Sequence, residues 1–285
     1  MIKDLEFVIL GGGKGTRNYP HAKGLPHKCL LPLGSMKIID VIMSQIIAAG
    51  AKHITIIVSD EYAKKAFEDN FMPEPDVEKK FEQTGNIAGL ELMRETRIPD
   101  DVEIRYVIQP EPKGVGDALA RAYSGKSILM IWPDDVVMPS GKSVFQRALD
   151  QYNGIGNMVV TRKVEDPSRW GIIEDGFYVE KPKQSKSDQA AIGFCILDKK
   201  VCEELLQDAK NFDGVGELTH IPALNRVIEN DPEVMALKTI PLTETDTYLN
   251  CGDIAGYEKS LLYSLLHESK FAKENLDFAG AFYKC

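Results

Sequence analysis

The stretch from Leu10 to Pro32, LGGGKGTRNYPHAKGLPHKCLLP, holds the residues of this chain best suited to phosphate chemistry. Gly11, Gly12 and Gly13 follow an apolar run and lead into Lys14, Gly15, Thr16 and Arg17, and further basic residues follow at Lys23 and Lys28. From Phe7 to Ile39 there is no Asp or Glu, although the chain carries 43 of them in 285 residues and proportion alone would place about five there. Glycines leave backbone N–H groups free to converge on an anion, and the surrounding cations neutralise it, so the window has the makings of a polyphosphate cradle. It is not a P-loop, because Lys14 is followed by Gly15 rather than Ser or Thr, and Thr16 stands where G-x-G-x-x-G needs its last glycine. A tight turn after a strand would require neither four glycines nor an acid-free basic window.

The whole chain frames this local site. Its hydrophobic content is 44% and its charged content 27%, as in a globular protein with a sizeable core. A formal net charge of −9 argues against general binding of nucleic acid or an anionic membrane, so any anion site must be local. The opening MIKDLEFVIL is too short and too acidic for a signal peptide, and no run approaches a membrane span. Five cysteines, at positions 29, 195, 202, 251 and 285, stand singly without C-x-x-C pairs. That usage suggests a reducing cytoplasm, without a disulfide framework or a zinc site. His53, His220 and His267 lack metal-ligand spacing and read as structural.

Strands are expected over Leu5–Leu10, His53–Ser59, Glu103–Gln109 and Ser127–Trp132, the last ending at Pro133-Asp134-Asp135. Helices are expected over Ile38–Ala49, from a Ser59 or Asp60 cap to about Phe71, and over Asp117–Ser124. Met72–Asp101 reads as a charged surface excursion with a helix inside. The second half is richer in strands: Asn157–Val164, Gly171–Glu174, Phe177–Glu180, Ala190–Leu197, Glu233–Ile240 and Thr247–Leu249. Helices follow at Lys199–Asp208, near Leu218–Asn230 and at Ile254–His267, with a partly helical tail to Cys285. Helices alternating with strands predict an α/β fold with a Rossmann-like mixed, mostly parallel sheet and right-handed crossovers. Ligands of such sheets bind beyond the carboxyl ends of the strands, so the glycine loop, Gln109–Gly116 and Asp134–Asp135 should line one crevice. No internal repeat or low-complexity linker appears, and residues 1–285 read as one continuous domain.

The motif GGGKGTRNYPHAKGLPHKCLLPL resembles the signature of the sugar-1-phosphate nucleotidyltransferases, and the likeness recurs at QPEPKGVGDA, WPDD, Trp170-Gly171, VEKP, AIGF and NCGDIAGY. Within that family the chain is most similar to the bacterial UTP–glucose-1-phosphate uridylyltransferases. The resemblance implies the fold of the nucleotide-diphospho-sugar transferases, with a nucleotide-binding half over about residues 1–150. A sugar-phosphate-binding half and C-terminal helices would fill about residues 151–285. It implies that Gly12, Gly13, Gly15 and Thr16 pack against the nucleotide and that Arg17 holds the departing phosphates. Lys28 matches the lysine before Leu-Leu-Pro, although the spacing from Arg17 is one residue longer than usual and Lys23 is an alternative; His27 stands where the family often has lysine. Gln109 and Gly114 match the pair that reads a pyrimidine, and a carboxamide does offer the donor and acceptor that a uracil imide needs. Asp134 matches the metal-binding aspartate; one or two carboxylates, completed by phosphate and water, are how Mg²⁺ is commonly held. Gly171, Glu180 and Gly193 match the sugar site, and Lys181 matches the lysine that holds the sugar phosphate.

One departure stands out. Asn250 occupies the place before Cys251-Gly252 where the family usually has a second metal-binding aspartate, and Asp253 is a candidate substitute. The resemblance implies an Mg²⁺-dependent reaction of UTP with glucose 1-phosphate, giving UDP-glucose and pyrophosphate, in a cytoplasmic homo-oligomer, a dimer or tetramer. It leaves room for dTTP or another sugar phosphate, and Asn250 also allows a regulatory homologue that binds without turnover. An NAD-binding protein is disfavoured by the missing fingerprint.

Overall fold

The computed structural model describes residues 4–13 and 15–282; Lys14 and Cys285 lie outside the described residues. The first strand forms as β1 (Leu5–Leu10), and the hairpin β2 (Pro32–Leu33) and β3 (Met36–Lys37) leads into α1 (Ile38–Ala48). β4 (His53–Val58) is followed by α2 (Glu61–Phe71). Asp60 caps α2, its carboxylate accepting from the Ala63 N–H at 2.8 Å, which satisfies one of the orphan donors of the first turn. The expected excursion holds two helices rather than one, α3 (Pro75–Thr84) and α4 (Ile87–Thr96), neither of which buries a residue. β5 (Glu103–Ile108), α5 (Val115–Ala122) and β6 (Ser127–Ile131) complete the first half.

Besides the β2–β3 hairpin, two elements have no counterpart among the expected ones: β7 (Asp135–Met138) and α6 (Val144–Gln151). The signal for α6 was present, since Ser143 and Gln146 form a reciprocal capping box at its start. The second half then runs through β8 (Asn157–Lys163), β9 (Gly171–Glu174), β10 (Phe177–Glu180), β11 (Gln189–Leu197), α7 (Lys199–Asn211) and α8 (Ile221–Asn230). The strand expected from Glu233 begins only at Leu237, because Pro232 opens the helical turn α9 (Pro232–Met235) before β12 (Leu237–Pro241). β13 (Thr247–Asn250) and α10 (Ile254–Tyr263) follow. The helix expected through His267 loosens at Ser264 into one π turn, with the Ser269 N–H on the Ser264 carbonyl at 2.8 Å, before α11 (Ala272–Phe282).

One nine-stranded sheet runs through both halves in the order β10-β9-β11-β6-β1-β4-β5, with β8 and β12 joined beyond β11. β6, β1, β4 and β5 are mutually parallel, and β11 turns the sheet antiparallel where it meets β6. Strands covered on both faces need apolar residues in near-continuous runs. Phe7 and Ile9 of β1 enter one core, with Ile39, Phe67 and Phe194, while Val8 enters the other, with Leu119, Met130 and Leu224. Burying each such side chain stabilises the fold by about 1.5–3 kcal/mol. This rigid slab fixes the carboxyl ends of β1, β5 and β6, and the antiparallel ribbon of β7 with β13 stands beside them. Among the described residues no helix is long and apolar enough to cross a membrane.

Candidate active site

The glycine loop leaves β1 at Gly11 and enters a single 3-10 turn over Thr16–Asn18, on which Arg17 is exposed. Asn18 is fully buried and its side-chain amide donates to the Cys251 carbonyl at 2.7 Å, which ties the loop to the end of β13. A second 3-10 turn, Lys28–Leu30, is capped by His27, whose Nδ1 accepts from the Cys29 N–H at 3.2 Å. Burial lowers His27 to a pKa of about 4 against the raising influence of Asp134, so the ring is neutral at pH 7. The Lys28 ammonium reaches Oδ2 of Asp134, and both groups are largely enclosed. Lys23 lies exposed on the turn before, so the structure brings Lys28 rather than Lys23 to Asp134.

Asp134 and Asp135 take different tasks. Burial alone would raise the Asp134 carboxyl, but the Lys28 ammonium holds it below the usual carboxylate range. Asp135 accepts from the Tyr248 hydroxyl at Oδ1 and from the Gly193 N–H at 3.3 Å at Oδ2. Burial and the neighbouring Asp134 charge push Asp135 up to about 6. Asn250 pairs with Asp135 across the ribbon, and the next residue, Cys251, donates its N–H to the Asp134 carbonyl at 2.7 Å. The place where a Cβ on Gly252 would stand is 3.0 Å from Asp134 Oδ2 and 2.9 Å from Asn250 Oδ1, so both side-chain oxygens lie against Gly252, whose N–H Asn250 Oδ1 accepts at 2.8 Å. Asp253 is instead the cap of α10, accepting from the Gly256 N–H at 2.9 Å.

On the other side of the glycine loop, the Gln109 amide nitrogen donates to the Gly114 carbonyl and to Asp117 Oδ2, each at 2.9 Å. These bonds orient the carboxamide and leave Oε1 3.7 Å from the Cβ position of Gly12. Gly114 has φ of 102°, and a Cβ there would meet the Leu218 carbonyl oxygen at 2.4 Å, so no other residue fits. Leu218 also clamps this loop through its N–H to Lys113 and its carbonyl from Gly116, each at 2.7 Å.

The residues expected at the sugar sit on the β9–β10 hairpin, where Gly171 and Glu180 are direct cross-strand partners. Gly171 is required by packing, because a Cβ would fall 2.2 Å from the Tyr178 hydroxyl oxygen. Lys181 takes a left-handed φ of 43°, held by its N–H on the Trp170 carbonyl at 2.9 Å, and its ammonium lies 3.2 Å from Glu180. Both side chains are exposed. Gly193 also braces the acidic pair: its N–H is taken by Asp135 and its carbonyl by the Trp132 N–H at 2.9 Å. Asn18, Asp117 and Tyr248 carry this geometry and escaped sequence reasoning. Tyr248 was the most accessible of them, since strand alternation puts it on the same face as Asn250.

Comparison with known proteins identifies the family and the fold. The family model described as nucleotidyl transferase matches residues 6–238. The UTP–glucose-1-phosphate uridylyltransferase of Bacillus subtilis (strain 168) is 27% identical over 245 residues, covering 80% of this chain and 82% of that protein. The UTP–glucose-1-phosphate uridylyltransferase 2 of Streptococcus pyogenes serotype M3 is 29% identical over 249 residues, covering 79% and 81%. The solved UDP-glucose pyrophosphorylase from Acinetobacter baumannii superposes with a TM-score of 0.81 over 97% of this chain and 99% of that one, at 21% identity, and so shares the fold. The chain belongs to the nucleotidyl transferase family.

Proposed function

We propose that this protein transfers the uridylyl group of UTP to glucose 1-phosphate, releasing pyrophosphate. The observation that carries the reading is the convergence of Lys28, Asp134 and Asn250 beyond the parallel strands, with Gln109 on one flank and Glu180–Lys181 on the other. The names of the relatives support the same substrates. Sugar phosphate oxygen is already ionised at pH 7, so no general base and no covalent nucleophile are needed. That oxygen attacks the α-phosphorus in line; the new P–O bond forms as the bond to the β-phosphate oxygen breaks, and the electron pair leaves with pyrophosphate. Catalysis is positioning together with charge neutralisation. Gln109 Oε1 is free to accept the imide N–H of uracil, Lys181 holds the attacking phosphate, and Arg17 and Lys28 neutralise the leaving group.

Members of the family generally use a divalent metal. The donor chemistry fits Mg²⁺: the Asp134 carboxylate and the Asn250 carbonyl lie side by side against Gly252, both hard oxygen ligands, and among the described residues no larger acidic cluster stands ready, so substrate oxygens and water would complete the shell. When bound, the ion would neutralise phosphate charge between the two substrates. Lys28 must yield its hold on Asp134 Oδ2 for this, which frees its ammonium for phosphate. The four free cysteines buried among the described residues suit a reducing cytoplasm, and the proposal includes a homo-oligomer.

Incubation with each of four nucleoside triphosphates, glucose 1-phosphate and Mg²⁺, with pyrophosphate measured, tests the reading. UTP should give the fastest release. No release with any nucleotide would contradict it, and a clear preference for dTTP would move it to thymidylyl transfer.

A further inference from the structure

Arg162, on β8, is half-buried and has no part in the chemistry above. Its guanidinium carbon lies 4.5 Å from the centre of the Tyr248 ring and 5.7 Å from that of Trp170. Among the described residues no carboxylate comes within ion-pair distance, and its Nε makes a long bond of 3.5 Å to the Lys163 carbonyl. The half-buried Arg147 and Arg226 behave otherwise, each gripping carboxylates at 2.7–3.1 Å. In a chain with 43 acidic residues against 34 Lys and Arg, leaving this cation without an acid is a specific arrangement.

Both aromatic neighbours are fastened to the candidate site. The Tyr248 hydroxyl donates to Asp135, beside Asp134, and the Trp170 carbonyl holds the Lys181 N–H at 2.9 Å. Arg162 therefore stands between the acidic arm and the Lys181 arm, where the reading above puts the sugar phosphate. Stacking on aromatic faces fixes a guanidinium plane while leaving its N–H edge free, and that edge matches two oxygens of a phosphate monoester. Charge balance points the same way. The β13 side chain facing Asp134 is the neutral Asn250, so the site recruits a divalent ion with one acid, and a fixed cation offsets the weaker pull.

We propose that Arg162 binds the phosphate of the sugar 1-phosphate, acting with Lys181 to set that substrate's affinity. The proposal rests on the uridylyl-transfer reading, and the two can fail separately. Steady-state kinetics of wild type, R162M and R162K measure KM for each substrate. R162M should raise KM for glucose 1-phosphate on the order of tenfold or more while KM for UTP stays within about twofold. R162K keeps the charge without the planar fork and should fall between. An unchanged KM for glucose 1-phosphate in R162M, or an equal rise in both KM values, overturns the proposal. If R162M shows no cooperative thermal transition, R162K decides: a rise of about threefold supports the assignment and no rise overturns it. Calorimetric titration with glucose 1-phosphate reads the same contact without turnover. Weaker binding to R162M supports the proposal and equal binding overturns it, even were wild type to release no pyrophosphate, which would sink only the uridylyl-transfer reading.

Discussion

The Lys28 ammonium and the Asp134 carboxylate, 106 residues apart in sequence, form an enclosed ion pair between the basic loop and the end of β6. Each group neutralises the other where neither is well solvated, so the pair holds the crevice together before substrate arrives. Breaking one side of such a pair leaves the other charge buried, at a cost of about 3–5 kcal/mol. K28M and D134N should therefore each lower the unfolding midpoint as well as turnover. Each should also lose roughly 10²–10³ in kcat, as when a transition-state charge partner is removed. Thermal melts and pyrophosphate release on the two single variants and the double variant check this; strict additivity in either readout would contradict a coupled pair.

In the proposed function, Asn250 would set how strongly the site draws a divalent ion. Its carbonyl lies beside Asp134 Oδ2 against Gly252 but brings no charge. N250D adds a second carboxylate there, and the Mg²⁺ concentration for half-maximal activity should fall several-fold. Binding of Mn²⁺ to the nucleotide-free protein, followed by its electron-spin resonance, should tighten in parallel. Equal Mn²⁺ affinity in both proteins would remove Asn250 from the metal's surroundings.

Gln109 is pinned by Gly114 and Asp117 so that its oxygen is the free end. Q109L keeps the volume and removes the acceptor. KM for UTP should rise on the order of tenfold with KM for glucose 1-phosphate nearly constant, the signature of a lost hydrogen bond to a base. A matching rise in both would show that the side chain merely braces the loop.

His220 supplies a stability test outside the chemistry. It is buried against Trp132 and Tyr178, and neither ring nitrogen has a partner among the described residues. Burial lowers its pKa from 6.5 to about 4, so the folded state resists protonation that the unfolded chain accepts. This contribution is complete above pH 6.5 and is lost as pH falls toward 4, by about 3 kcal/mol at the full shift. H220F removes both the titration and the unpaired nitrogens. Denaturant unfolding should show the variant at least as stable as wild type at pH 7 and less acid-sensitive between pH 6.5 and 4.5. An unchanged acid profile would mean other groups dominate it.

Much of the parallel half was legible because β1, β4 and β6 are short, mostly apolar runs, and in β5 Ile104, Tyr106 and Ile108 alternate with other residues, all local signals. The glycine window was legible for the same reason, since absence of acids is a property of a segment. What escaped was set by pairing at long range. β7 is recognisable as a strand only through β13, more than a hundred residues on, and that pairing is what puts Asn250 opposite Asp135. The bond from the Gly193 N–H to Asp135 is likewise invisible in the sequence. Arg162 and Tyr248 are unremarkable in sequence, and only the fold stacks one on the other.

The most direct test of the account is a crystal structure with UDP-glucose and Mg²⁺. The account predicts uracil against Gln109 Oε1 and Gly114, the sugar over Gly171 with hydroxyls on Glu180, the metal between Asp134 and Asn250, and the pyrophosphate linkage within reach of Lys28 and Lys181. Product bound away from the Lys28–Asp134 pair, or with its base and sugar at exchanged ends of the crevice, would contradict it.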